Sequence, residues 1–438
     1  MISAARAARR LGPVAGMAVV CALLQFTVAA WTTTSSLHTP NHATAIAIYL
    51  ARDGRFQGGQ WKLLGPQSEF RPERFRRYHL PGEPLYLGAV LRYAPAFLHR
   101  YAHLPVTVLL VASVVCVARR FGGDRLAWLA GLVACLHPFV LLHGSVFDDT
   151  FLAAALLWSV IAWTGKRLAG AGPASLPCLL LTSILAAGAA LTRQESQLAL
   201  LLLAALCGLL PVLARFRREA VAVLFGLAAA LLAWGWRNRV ATGEFVLGAS
   251  RDGITLWEWI GPHARMTLRR GSPELLSWDP QVMAVHWQRT AALTENEADR
   301  YFLSLALREV RDHPFEVLVT ALYKLWRSAI GVAPGQPLLT LRSLGALSVN
   351  LAVFLLAFRG ILLLQVAVEA RPWWFACSLA VAVSALAGLL VGPVGMRYRI
   401  AADGLLWIAA ASTLQHYRDH FHRTRHPAGR STAGAAPC

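Results

Sequence analysis

The sequence places charged side chains at the ends of long apolar runs, where they could act on a substrate at a membrane surface. Asp148 and Asp149 stand side by side in GSVFDDTFLA, where an apolar run over 150–165 begins. Burying either charge in a membrane is costly, so the pair is expected to line a wet cavity or a binding site. Capping of a helix N-terminus explains one of the two aspartates equally well. The pair could also hold a divalent cation, although two carboxylates are a weak signal for a metal site.

A second charged group follows the apolar run over 175–191. The segment ALTRQE places Arg193 and Glu195 at that end, at the depth expected for the two aspartates. A binding role for Arg193 and Glu195 and an ordinary ion pair between them are both compatible with this pattern.

The elements that carry these residues are membrane helices. The chain has 438 residues, of which 56% are hydrophobic and only 15% are charged. The apolar residues form runs close to the ~20 residues that a membrane-spanning helix needs, and the short alternating segments of a β-barrel are absent. These features predict an all-α polytopic membrane protein of roughly ten to twelve transmembrane helices. The apolar runs cover 13–33, 101–118, 126–142, 150–165, 175–191, 196–213, 219–236, 343–364, 373–391 and 398–414.

The formal net charge of +19 does not indicate nucleic-acid binding, because the basic residues stand at the ends of apolar runs, as the positive-inside rule predicts. Their positions predict a cytoplasmic N-terminus, an outer loop over 35–87, and a cytoplasmic basic tail over 416–438. The four histidines of this tail are interpreted as part of a solvated basic surface rather than as a metal site. The basic groups that set this orientation are Arg6, Arg9, Arg10, Arg119, Arg120, Lys166, Arg167, Arg215, Arg217 and Arg218.

The segment RYRI departs from the positive-inside pattern. With the tail inside, Arg397, Tyr398 and Arg399 are predicted to lie outside. Basic residues in such a position favour binding of an anion such as a phosphate, and a structural ion pair is the alternative.

The pattern divides the chain into four parts. The first, 1–236, is a transmembrane module that contains the outer loop over 35–87. The second, 237–342, is another outer region with interfacial helices, including an amphipathic helix over 314–330 that we interpret as non-spanning. The last two are the transmembrane helices of 343–415 and the tail of 416–438.

The chain resembles the GT-C membrane glycosyltransferases. The nearest group is the Rgt and aminoarabinose-transferase-like set, related to the protein O-mannosyltransferases of the family 39 type. The resemblance extends over most of the chain and depends on the order of its motifs, because each motif is weak alone. The matching segments are PGEPLYLGAV, ARRFGGDRLAWLAGLVACLHPF, GSVFDDTFLA, ALTRQE, WRNRVATGEF, SRDGITLW, ENEADRYFLSLALREVRDHP and RYRI.

The resemblance implies transfer of a sugar from a polyprenyl-phosphate donor to an envelope glycan, lipid or protein. It also implies a bacterial inner membrane location, with the active site on the outer face. Such a reaction needs a carboxylate for the acceptor's proton and cations for the departing phosphate. Asp149 matches the family's acidic position best, with Asp148 beside it. The candidate phosphate contacts are Arg193, Arg237, Arg397 and Arg399, with Tyr398 as a further donor.

The chain departs from the family pattern just after the first apolar run. Family members usually carry a catalytic Asp there, whereas this sequence has Asn41 followed by His42. An asparagine cannot act as a base at neutral pH, but a histidine can. Glu83, which replaces a Tyr-like residue in the PGEP segment, is a further candidate. The alternative function is a catalytically silent relative that binds lipid or acts as a scaffold in envelope glycan synthesis; a transporter is disfavoured because no internal repeat is visible.

Overall fold

A computed structural model describes twelve stretches of the chain, and within them the protein consists of fifteen α-helices and short 3₁₀ turns, without strands. The described residues are 2–31, 42–56, 79–143, 148–169, 174–249, 252–262, 285–286, 288–290, 292–330, 341–364, 370–391 and 399–425. The helices are α1 (Ile2–Trp31), α2 (His42–Asp53), α3 (Gly82–Tyr93), α4 (Leu104–Leu136), α5 (Pro138–His143), α6 (Asp149–Thr164), α7 (Leu176–Thr192), α8 (Gln194–Leu209), α9 (Arg217–Thr242), α10 (Asp252–Ile260), α11 (Glu295–Asp312), α12 (Pro314–Ile330), α13 (Leu341–Leu363), α14 (Arg371–Val391) and α15 (Ile400–Arg425).

Several of the described helices have the length or the apolar composition of membrane segments. Among the described residues, three stretches are long and apolar enough to span a bilayer, namely Ala96–Leu136, Pro211–Thr242 and Arg371–Leu389. The five shorter apolar helices are Gly12–Val28, Asp149–Thr164, Leu176–Thr192, Gln194–Leu209 and Leu347–Leu363. The predicted all-α polytopic membrane architecture is therefore confirmed, while the number of spans stays a prediction.

Helix α4 folds back on itself and contains two of the apolar runs seen in the sequence. Its helical geometry breaks at Gly122 and at Gly123, whose φ of 70° lies in the left-handed region that glycine adopts without steric cost. The two legs then run side by side: a Cβ built on Gly131 in the second leg would stand 2.8 Å from Val115 in the first. The break returns the chain toward the end of the bundle at which α4 begins.

The bundle core lies where α4, α6 and α15 pack together. Trp158 and Trp407 are buried there, and the indole Nε1 of Trp158 donates to the carbonyl of Ala401 at 2.8 Å. On the neighbouring side, α7 and α9 approach closely, and Ser183 donates to the carbonyl of Ala222 at 2.8 Å. Close backbone approach through small residues is typical of helices that associate in a membrane. This core holds the N-terminus of α6 and the C-terminus of α7 in a fixed relation.

The region between α9 and α13 forms a second packing unit. Helix α10 lies on α11 through a small cluster in which Ile254, Trp257 and Phe302 are buried. Thr294 and Glu297 form a reciprocal capping box that starts α11. Helix α12 then packs against α10, α11, α13 and α14. It is not among the apolar helices named above, so its role as a non-spanning helix stays a prediction.

Candidate active site

Three of the predicted site residues meet where α6 begins and α7 ends, which we call the site end of the bundle. Nη1 of Arg193 donates to both carboxylate oxygens of Asp149 at 2.9 Å. Nε and Nη2 of the same guanidinium donate to the two oxygens of Glu195 at 3.0 and 2.8 Å. The exposed fractions of the side chains are 14% for Asp149, 16% for Arg193 and 25% for Glu195. The group is therefore fixed in position and still open to a solute.

The two adjacent aspartates have different contacts. Asp148 is the N-cap of α6, and its Oδ1 accepts from the backbone N–H of Thr150 at 2.9 Å and from its hydroxyl at 2.6 Å. Capping therefore accounts for Asp148, as one of the two interpretations of the sequence expected. Asp149 occupies the first turn, where it pairs with Arg193 and faces the partial positive charge of the helix N-terminus. Asp149 thus contacts a side chain from outside α6.

Glu83 has a buried partner that the sequence did not reveal. Its Oε1 lies 2.6 Å from Nε2 of His103, and both side chains are buried. The charges of Asp148 and Asp149 also act on the imidazole of His103. The sequence signal for His103 was a lone polar residue at the start of an apolar run.

The PGEP segment is fitted closely to the site end. A Cβ on Gly82 would stand 2.3 Å from Oγ1 and 2.8 Å from Cα of Thr192, the residue before Arg193, so only glycine allows this approach. One turn further, the hydroxyl of Tyr86 donates to the carbonyl of Ala102. Burial and the nearby Glu83 charge raise the pKa of Tyr86 to about 12, so the phenol keeps its proton as a donor. The segment is thereby locked against α7 and the start of α4.

The motif segments beyond Arg193 are joined to the same site by hydrogen bonds. Nε2 of Gln194 donates to Oδ2 of Asp252 at 2.9 Å, which joins ALTRQE to SRDGITLW. Oδ1 of Asp299 accepts from the backbone N–H groups of Gly253 and Ile254 at 2.9 and 3.2 Å, which joins SRDGITLW to ENEADRY. Asp252 and Asp299 were not predicted as site residues. In the sequence they were indicated only by their presence in the segments SRDGITLW and ENEADRY.

Arg237 connects α9 to Phe56, which follows α2. Its Nη2 donates to the carbonyl of Phe56 at 3.0 Å, and its Cζ lies 4.9 Å from the ring centres of both Phe56 and Trp234. A guanidinium held over two aromatic faces gains cation–π stabilisation. Its predicted role as a phosphate contact stays a prediction.

Arg399 is buried at the start of α15 and connects three helices. Its Nη1 donates to the carbonyls of Ser328 and Ala329 at 3.0 and 2.7 Å, which satisfies the end of α12. Its Nη2 donates to Oδ1 of Asn350, and its Nε lies 2.7 Å from Oδ1 of Asp403. These contacts match the structural ion pair that the sequence left open, and a phosphate contact at Arg399 stays a prediction.

Four predicted site residues give no side-chain geometry. Asn41, Arg397 and Tyr398 lie outside the described residues. His42 begins α2, but its side chain is also outside them. Over the described part of the chain, no three His, Cys, Asp or Glu side chains are grouped as metal ligands; a divalent ion at Asp148 and Asp149 stays a hypothesis.

The architecture is similar to solved structures of membrane transferases. The chain matches the Archaeoglobus fulgidus oligosaccharyltransferase AglB, in complex with an inhibitory peptide and a dolichol-phosphate, with a TM-score of 0.54 and 13% identity over 97% of this chain and 52% of that one. An Archaeoglobus fulgidus oligosaccharyltransferase in the apo form gives a TM-score of 0.52 and 15% identity over 97% and 52% of the two chains. ArnT from Cupriavidus metallidurans, bound to undecaprenyl phosphate, gives a TM-score of 0.42 and 14% identity over 95% of this chain and 80% of that one.

The two matches to the oligosaccharyltransferases show the fold of the chain. The predicted GT-C architecture is confirmed. The chain spans about half the length of the oligosaccharyltransferases that it matches. No protein-family model and no curated protein matches the sequence.

Proposed function

We propose that the protein is an integral-membrane glycosyltransferase that moves a sugar from a polyprenyl-phosphate donor to a cell-envelope acceptor. The reaction is placed at the outer face of a bacterial inner membrane. The acceptor is an envelope glycan, lipid or protein. The observation that carries the proposal is the group of Asp149, Arg193 and Glu195 in a GT-C fold, at the site end where the PGEP and ALTRQE segments also meet.

In this proposal Asp149 acts on the acceptor's hydroxyl. A carboxylate that takes the acceptor's proton, or orients its hydroxyl, must be both fixed and accessible. Asp149 meets both conditions, because Arg193 binds both of its oxygens while 14% of its side chain is exposed. Glu195 holds the other edge of the guanidinium, so Arg193 acts as a positioning residue for Asp149.

The test compares Asp149→Asn with wild type in membranes that contain a labelled polyprenyl-phosphate sugar and the cell's own envelope acceptors. Removing a general base typically lowers a rate by about 10²- to 10⁴-fold, so label transfer from the lipid is expected to fall by that order. Asp124→Asn is the matched control, since Asp124 is also paired with an arginine but is 53% exposed. Transfer that is unchanged in Asp149→Asn would overturn the assignment.

The second candidate is a silent relative that binds lipid without turnover, and Asn41 at the family's usual Asp position favours it. The Asp148→Asn/Asp149→Asn double variant separates the two functions. Normal envelope composition with that variant, together with donor binding without transfer in wild type, would support the silent relative.

A further inference from the structure

Two cations meet at the end of the bundle opposite the site end. Helix α6 begins at the site end, and Lys166 follows its last turn at the other end, about 22 Å away at 1.5 Å per residue. Arg120 on α4 reaches the same place, just before the break at Gly123. A Cβ built on Gly165 would overlap Nη1 of Arg120, and the charge of Arg120 acts on the ammonium of Lys166. The two cations are therefore neighbours.

Neither cation is neutralised by a carboxylate in the described part of the chain. The adjacent Arg119 differs, since its Nε lies 2.6 Å from Oδ1 of Asp124. Nη1 of Arg120 is buried and has no hydrogen-bond partner among the described residues, which is costly for a charged group. The Arg120 side chain as a whole is nevertheless partly exposed, and Lys166 is exposed. An anion from outside the protein can therefore reach both.

Indole rings surround the two cations. Nζ of Lys166 lies 2.9 Å from the ring centre of Trp163, whose Nε1 donates to the carbonyl of Cys178 on α7 at 3.2 Å. The ring of Trp373, at the start of α14, lies beside Arg120, because Cη2 would stand 2.7 Å from the Cβ built on Gly165. Tryptophan is enriched at the interface between membrane and water. The cations therefore lie at the depth of lipid headgroups.

Helix α7 provides an apolar surface that begins at the same end of the bundle. Leu176, Leu180 and Ile184 recur every four residues and so lie on one face, and they are 68%, 51% and 66% exposed. The row runs from the end that carries Lys166 toward the site end, over about 12 Å of helix. Such a row suits the acyl chain of a lipid, whereas a free phosphate ion would make no contact with it.

These observations favour a lipid with a negatively charged headgroup. Basic pockets between membrane helices on the cytoplasmic side bind anionic headgroups, and the positive-inside pattern predicts that this end is cytoplasmic. We propose that Arg120 and Lys166 bind the phosphate of an anionic phospholipid such as phosphatidylglycerol, whose acyl chain lies along α7. This site is separate from the group of Asp149 and Arg193, and the inference does not depend on the proposed function.

The experiment measures binding of a fluorescent phosphatidylglycerol to the purified full-length protein in detergent. Unlabelled phosphatidylglycerol and phosphatidylcholine compete for the site, and the choline cation of the second lipid cancels its phosphate charge. Wild type is expected to bind phosphatidylglycerol about tenfold more tightly. Arg120→Gln and Lys166→Gln are each expected to weaken this binding about fivefold, the scale for one basic residue beside anionic lipid, and to leave phosphatidylcholine unchanged.

Arg125→Gln is the matched control, because Arg125 lies at the same end of the bundle, is 67% exposed and is paired with Asp419. Lys166→Arg keeps the charge and should keep most of the preference for phosphatidylglycerol. Since Lys166 is exposed, its variants test the proposal even if Arg120→Gln fails to fold.

Three results would overturn the proposal. The first is equal affinity of wild type for the two lipids. The second is equal weakening in Lys166→Arg and Lys166→Gln, or a loss in Arg125→Gln as large as that in Lys166→Gln. The third is displacement of the probe by glycerol phosphate as effectively as by phosphatidylglycerol, which would identify a site for a soluble phosphate instead of a lipid.

The outcome is distinguishable from that of the proposed function, because no transfer is measured. Selective binding of phosphatidylglycerol that needs Arg120 and Lys166 supports this inference even if Asp149→Asn leaves transfer unchanged. Transfer that needs Asp149 leaves the proposed function standing even if the two lipids bind equally and this inference is refuted.

Discussion

Arg193 and Asp149 are 44 residues apart in the chain, yet one guanidinium nitrogen donates to both oxygens of the carboxylate at 2.9 Å. The contact joins the start of α6 to the α7–α8 junction. Because Glu195 binds the other edge of the same guanidinium, the three side chains together carry one net negative charge. Such a group suits an acceptor hydroxyl better than a phosphate, so the proposed reaction needs further cations for the donor.

Replacing Arg193 by lysine tests whether the geometry of this group matters beyond its charge. A lysine has no planar fork to bind two carboxylates at once. Arg193→Lys is therefore expected to lower transfer about 10- to 100-fold in the membrane assay. Arg119→Lys, in the exposed pair with Asp124, should have little effect. Full activity in Arg193→Lys would show that the charge alone is sufficient.

Substitutions of Glu83, which is buried beside His103, can distinguish a structural from a catalytic role for this residue. Glu83→Leu leaves a buried imidazole without its 2.6 Å partner and is expected to cost about 3 kcal/mol of stability, seen as a lower Tm in detergent. Glu83→Gln can still accept a hydrogen bond and should cost less. Asp312→Asn, on an exposed carboxylate of α11, is the control for each assay.

The transfer activities of Glu83→Leu and Glu83→Gln are compared after correction for the amount of folded protein. If Glu83 only holds His103, Glu83→Gln retains most of its transfer activity. A Glu83→Gln protein with wild-type Tm and a loss of transfer as large as that of Asp149→Asn would instead identify Glu83 as the carboxylate that replaces the missing Asp at position 41.

The sequence was sufficient for the membrane architecture because apolar length and basic flanks are local signals. It also placed Asp149, Arg193 and Glu195 at related helix ends, since each closes or opens an apolar run. It did not predict the partner of Glu83, because the contact with His103 depends on how the start of α4 packs against α3. Nor did it separate capping by Asp148 from pairing by Asp149, since both residues fit either role until the helix start is known to a single residue.

Asp299 is expected to support the site indirectly, through α10. Its Oδ1 accepts from the first N–H groups of α10, which have no partner within the helix. Asp299→Ala should cost about 0.5–2 kcal/mol, as for other capping residues, and should raise the KM for the donor more than it lowers kcat. Glu297→Ala removes the reciprocal cap of α11 and serves as the comparison. An equal kinetic effect of both variants would show that α10 has no special link to the site.

The buried polar side chains of α12 show the limit of sequence reasoning most clearly. Thr320, Lys324 and Arg327 recur at helical spacing in an apolar segment, so the sequence identified an amphipathic helix. The usual rule assigns the polar face of such a helix to water. Only the packing of α12 against its neighbours reveals that this face is the buried one.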